Sequence, residues 1–181
     1  MRSLLLNGAT KDFVILDDFI PDLDNCLGCL KKVSLYDKES NPDYFGVENV
    51  SFPGKRSMDM FKENPFFVRY FLKILQERVH IEGDYILHSY LHLRPCGSDK
   101  EDFVHVDNNT FSGVLYLSET NLESGTAFYD DKENMIDKIN FVQNRLILFP
   151  AHLMHCSVKN HGLGIDTGRL TFNAFFQRAG N

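Results

Sequence analysis

His105 and Asp107 stand two positions apart in the stretch Phe103-Val104-His105-Val106-Asp107. If residues 103–107 form a strand, alternate side chains leave the same face, about 7 Å apart at the backbone. An imidazole and a carboxylate reach far enough from there to meet on one metal ion. A third ligand must come from elsewhere, and the stretch 148–155 offers His152 and His155. Two imidazoles and one carboxylate on one side of an ion leave its opposite side open to other ligands. Farther on, Arg169 opens a segment in which Arg169, Thr171, Asn173 and Phe175 alternate with Leu170, Phe172, Ala174 and Phe176. That alternation gives a strand with one polar face, suited to the mouth of a binding site or to a half-exposed edge.

The elements that would position these residues are legible in outline. A first strand over 12–19 runs into a turn. Leu23, Cys26, Leu27 and Leu30 follow at helical spacing after the capping candidate Asp22. The pattern breaks down from about 36 to 60, a long loop in which Phe52, Arg56 and Met60 read first as ordinary loop packing and second as candidates for a substrate approach. Asn64-Pro65 starts a second helix, with Asn as cap and Pro in the first turn; Phe67, Val68, Phe71, Leu72, Leu75 and Val79 form its apolar face. After Gly83 the period becomes strand-like: 85–94, 103–107, 113–117, 126–129, 145–149, 154–158 and 169–176 are candidate strands, with 131–139 a short helix or turn insertion. Many short strands after two helices point to a β core with helical support.

Composition narrows the function classes. The 181 residues carry a formal net charge of −6 and no basic block, which argues against a nucleic-acid footprint. Tryptophan is absent and 16 phenylalanines promise an aromatic core. Cys26 and Cys29 make a lone C-x-x-C on what reads as a buried helix face, a weak zinc signal; Cys96 and Cys156 are isolated. The short apolar run at the start is too short for a signal peptide or a spanning helix. The expectation is a soluble, cytoplasmic protein without a membrane partner. No internal repeat or domain boundary is visible.

Taken together, His105-x-Asp107, the Leu146-Ile147-Leu148-Phe149-Pro150 strand, the following His155 and the later Arg169 resemble the 2-oxoglutarate- and Fe(II)-dependent oxygenases, particularly the prolyl-hydroxylase-like branch. The resemblance covers roughly 85–177 and, more loosely, 14–30. It implies a double-stranded β-helix (jelly-roll, cupin-like) core over 84–178, supported by an amino-terminal strand and helices in 1–83, as one oxygenase domain. It implies Fe(II) held by His105, Asp107 and His155, with 2-oxoglutarate and O2 filling the open positions. Arg169, with Thr171 two residues on, would take the far carboxylate of 2-oxoglutarate through a planar, two-pronged guanidinium. A tyrosine on the preceding strand often touches the co-substrate; Tyr90 is the candidate and Tyr85 the alternative. The family's Gly-Gly-x-x-x-Phe run stands here as Ser124-Gly125-Thr126-Ala127-Phe128. Related halogenases lack the carboxylate, so Asp107 points to hydroxylation or a related oxidation, with release of succinate and CO2.

The substrate left open is a small molecule or a protein side chain. His155 is preferred over His152 because Phe149-Pro150 would put His152 in a turn. His80, His88, His92 and His161 are read as structural. The alternative function is a non-catalytic cupin-like module that binds a metal or small molecule; a metal hydrolase would have no use for Arg169 where it stands.

Overall fold

The computed structural model describes residues 13–37, 39–40, 54–97 and 103–180. Most of the 36–60 stretch, including Phe52, lies outside them.

The elements run β1 (Val14–Leu16), α1 (Leu23–Leu30), β2 (Lys55–Arg56), α2 (Met60–Glu63), α3 (Pro65–Arg78), β3 (Tyr85–Arg94), β4 (Phe111–Tyr116), β5 (Asn121–Tyr129), β6 (Met135–Phe141), β7 (Leu146–Pro150), β8 (Met154–Val158) and β9 (Arg169–Arg178). The strands make two antiparallel sheets: a large one in the order β1-β7-β4-β9-β3-β2 and a small one in the order β6-β5-β8. This is the double-stranded β-helix that the family resemblance implies.

Side-chain alternation assigns each face of the large sheet. Leu91 and Leu93 of β3, Leu146 and Leu148 of β7, and Leu170, Phe172 and Ala174 of β9 join Leu30, Met60, Phe67, Phe71 and Leu75 in a core under the helices. The intervening residues Val114, Tyr116, Ile147 and Phe149 pack against Phe128, Ile139 and Phe141 of the small sheet. With both faces covered, β7 reads as an unbroken apolar run rather than an alternating one. Helix α3 is fixed at its start by Asn64, whose side chain accepts a hydrogen bond from Phe67 N at 3.1 Å, with Pro65 in the first turn. Its Phe67 and Phe71 rings then meet Phe172 of β9 at 5.1 and 4.9 Å.

Several local expectations change. Asp22 occupies the cap position of α1, but its carboxylate accepts from Asn25 Nδ2 instead of a backbone N–H. Residues 131–139 are not a helical insertion: β6 begins at Met135 and edges the small sheet. Residues 103–107 form no strand; a single bridge, His105 to His155, is their only ladder contact among the described residues. Met60 is fully buried under the large sheet, in keeping with the packing reading and not with a substrate approach. A short helix, α2, and a two-residue strand, β2, interrupt the stretch that reads as loop.

Gly125 sits where β5 shifts register against β6. A Cβ there would stand 2.3 Å from the Ile139 carbonyl oxygen, so any side chain must force the two strands apart. We expect Gly125→Ala to cost about 1–3 kcal/mol of stability, as overpacking does, read as a lower urea midpoint with the slope unchanged.

Candidate metal centre

The open end between the sheets holds a cavity of about 220 Å³, lined among others by His92, Arg94, His105, Asp107, His155 and Arg169. His105 and His155 exchange both backbone hydrogen bonds, at 3.0 and 2.8 Å. That close pairing sets the two side chains on one face, with ring centroids 4.5 Å apart. Asp107 N donates to Ala151 O at 2.9 Å, which fixes the next turn of backbone and brings the carboxylate to the imidazoles. One donor atom each from His105, Asp107 and His155 lies within 4.8 Å of the others. His152 is exposed and stands outside this group.

Each ring is oriented by its own chain. His105 Nδ1 donates to Phe103 O at 3.0 Å and His155 Nδ1 to Leu153 O at 2.8 Å. A carbonyl only accepts, so Nδ1 carries the proton in both rings and the Nε2 lone pair is left for a cation. Those Nε2 atoms face the carboxylate: His105 to Asp107 Oδ1 at 3.8 Å and His155 to Oδ2 at 3.5 Å. Burial is the main cause that depresses the His155 pKa, opposed by Asp107, so the ring is neutral and ready to ligate. Asp107 is held in turn by Ser112, whose hydroxyl donates to Oδ2 at 2.5 Å and accepts from Asn109 Nδ2 at 3.1 Å. Two imidazoles and a carboxylate, each steadied by a second hydrogen bond, fit a first-row divalent ion. Ser112→Ala is expected to weaken Mn(II) binding roughly 10- to 100-fold, the usual cost of losing an outer partner, in an electron-spin-resonance titration.

At the other end of the cavity, Arg169 is 3% exposed. Its Nη2 donates to Gly125 O at 3.2 Å, while Nε has no hydrogen-bond partner among the described residues. Its guanidinium lies 5.9 Å from the ring of Tyr116, whose hydroxyl donates to Thr126 Oγ1 at 2.9 Å. Burial lowers the Arg169 pKa, so an anion that entered would meet a poorly solvated cation. Thr171 is fully buried, and its hydroxyl donates to Asn173 Oδ1 at 2.7 Å. Tyr90 lies outside the cavity lining, in a groove with His88 and Phe175, under the Arg56 guanidinium at 5.0 Å. Tyr85 packs edge-on against Phe111. The tyrosine beside Arg169 is Tyr116, which lies in the strand after the His-x-Asp pair.

The sequence does not single out Arg94, Ser112 or Ser157, and His92, which it reads as structural, also lines the cavity. Arg94 is the last residue of β3 and faces Arg169 directly across the β3–β9 ladder. It donates to Ser157 Oγ on β8. His92 lines the same cavity, and burial, with Arg94 and Arg56 beside it, holds its pKa well below the usual value. A cation closing a strand whose alternate residues Leu91 and Leu93 are core-directed is the available signal for Arg94.

No protein-family model matches this chain, and no curated protein matches its sequence. Solved structures do match. HygX from Streptomyces hygroscopicus, with nickel and 2-oxoglutarate bound, superposes with a TM-score of 0.65 at 12% identity, over 94% of this chain and 84% of that one. A Pseudomonas putida prolyl-4-hydroxylase gives 0.57 at 18% identity over 95% of both chains. A prolyl hydroxylase from Trichoplax adhaerens, in complex with a hypoxia inducible factor peptide fragment, gives 0.58 at 16%, over 93% of this chain and 84% of that one. Among the described residues no helix is long and apolar enough to cross a membrane. In architecture, this chain has the double-stranded β-helix fold of the 2-oxoglutarate- and Fe(II)-dependent oxygenases.

Proposed function

We propose that this protein is an Fe(II)- and 2-oxoglutarate-dependent dioxygenase that oxidises an unactivated C–H bond, as a hydroxylase. The observation that carries the reading is the two-ended cavity. Three metal-ligand candidates converge at one end, and at the other stands a buried guanidinium whose Nε has no hydrogen-bond partner among the described residues. A metal hydrolase needs the first end and has no use for the second.

In this reading His105, Asp107 and His155 hold the metal. Arg169 takes the far carboxylate of 2-oxoglutarate, with Thr171 and the Tyr116–Thr126 pair beside it; Tyr90 stands farther out, at the substrate approach. Bound Fe(II) supplies the activation of O2 coupled to decarboxylation of 2-oxoglutarate to succinate and CO2. The chain's own residues do the rest. Phe103 and Leu153 carbonyls hold each ring through Nδ1 so that Nε2 is turned to the metal, and Ser112 aims the Asp107 carboxylate. Phe149 and Val114 line the cavity wall and keep water from its apolar side. The substrate class proposed is a small molecule or a protein side chain. One structural neighbour is described with hygromycin B bound and another with a peptide fragment, so the fold accommodates both kinds.

The test is formation of succinate from 2-oxoglutarate by the Fe(II)-loaded protein in air, followed by NMR with ascorbate present. Slow uncoupled turnover is expected without the true substrate, and faster turnover with it. Metal binding with no succinate across a broad substrate panel would favour the non-catalytic binding module instead.

A further inference from the structure

We infer that Arg94 is a second guanidinium for the far carboxylate of the co-substrate, so that the anion is clamped between Arg94 and Arg169. The inference deepens the oxygenase reading and rests on it.

The register places the pair. Arg94 and Arg169 are direct partners in the antiparallel β3–β9 ladder. Side chains directly opposite in such a ladder leave the same face, with Cβ atoms about 4.5–5.5 Å apart. That face is the one between the sheets, since Leu93 and Leu170, their neighbours, point into the helix-side core. Both guanidiniums reach the small sheet: Arg94 bonds Ser157 of β8 and Arg169 bonds Gly125 of β5. Both line the cavity that holds the three metal-ligand candidates.

Two cations forced side by side in a buried space repel one another. Burial and the neighbouring Arg169 push the Arg94 pKa down to about 9, and the group stays charged at neutral pH. Both guanidiniums line one cavity, and a carboxylate that enters it has two oxygens to share between two forks.

Depth along the strand identifies which anion. Ser157, the Arg94 partner, follows the metal-ligand candidate His155 by two residues on β8. Their side chains leave one face about 7 Å apart along the strand. A short dicarboxylate chelating a metal at His155 with one end therefore delivers its other end to the level of Ser157 and Arg94. Phe103 lines the cavity and is half exposed, so the main substrate comes in on its side, and Arg94, whose partner is Arg169, lies on the co-substrate side.

The experiment compares two ligands on Mn(II)-loaded protein without oxygen, by the loss of water-proton relaxation when a ligand displaces water from the metal. N-oxalylglycine, a stable mimic of 2-oxoglutarate with NH in place of a methylene, has the far carboxylate. Pyruvate has the same chelating end and lacks it. Arg94→Gln is expected to weaken N-oxalylglycine about 10- to 100-fold, the equivalent of one or two charge-assisted hydrogen bonds, and to leave pyruvate unchanged. Arg94→Lys keeps the charge without the fork and should recover part of the loss. Unchanged pyruvate affinity also reports that the variant has kept its fold and metal end. Equal weakening of both ligands, or of neither, overturns the clamp while the oxygenase reading stands. Wild-type protein that binds Mn(II) but not N-oxalylglycine overturns that reading, and the clamp falls with it.

Discussion

Turnover of 2-oxoglutarate is expected to disappear in Asp107→Ala, with Mn(II) affinity falling by more than the roughly 100-fold that outer-partner changes cost. Asp107 supplies the one carboxylate among the described residues that line the cavity, which also holds Arg56, Arg94 and Arg169. With it gone, two imidazoles alone must attract a divalent cation in a cavity that also holds three guanidiniums. The same carboxylate stands between the two rings, 3.5 and 3.8 Å from their Nε2 atoms, so its loss removes the anionic member of the donor set. His152→Ala, three residues from a ligand candidate but exposed, should leave both metal affinity and succinate formation unaltered. An Asp107→Ala protein that turns over normally would place the metal elsewhere.

The second large effect belongs to Arg169. Removing one partner from a buried charge pair costs about 2–5 kcal/mol, or roughly 30- to 5,000-fold in affinity. Arg169→Met is therefore expected to raise the 2-oxoglutarate requirement by at least the lower figure while Mn(II) affinity stays the same. Stability should behave in the opposite sense to intuition. The guanidinium is desolvated, faces Arg94 and has no partner at Nε among the described residues. Replacement of such a group by an apolar one of similar length is often neutral or stabilising. The variant should melt no lower than wild type when no ligand is present. It should also lose most of the stabilisation that Mn(II) with N-oxalylglycine confers on wild type, which is about 2.7 kcal/mol at a hundredfold excess over Kd. A large drop in the ligand-free melting temperature would make Arg169 a structural residue instead.

Much of this was readable before any coordinates. The asparagine–proline start of α3, the polar face of β9 and the turn after Phe149 are local chemistry, and each appears where residue type and spacing put it. His155 could be preferred over His152 for the same reason. What escaped depends on pairing across the two sheets. Arg94 looks like an ordinary cation at the end of a strand until the β3–β9 register sets it opposite Arg169. Tyr116 sits in an apolar run where nothing local distinguishes it from a core residue, and only the small sheet brings Thr126 to its hydroxyl. Residues 103–107 have strand-like alternation but stand at the cavity rim, where one bridge replaces a ladder and frees Asp107 to turn toward the histidines. Strand β6 was missed because it is an edge: Met135 and Ile136 are both exposed, so the alternation that marks a half-buried strand is lost at its start.

Crystals of the protein soaked with Mn(II) and N-oxalylglycine test the central claim most directly, through the anomalous signal of manganese. The account predicts one metal peak, about 2.0–2.2 Å from His105 Nε2, His155 Nε2 and an Asp107 oxygen, with the ligand chelating it and its far carboxylate against Arg169. A manganese site away from these three residues, or a far carboxylate directed away from Arg169, would contradict it.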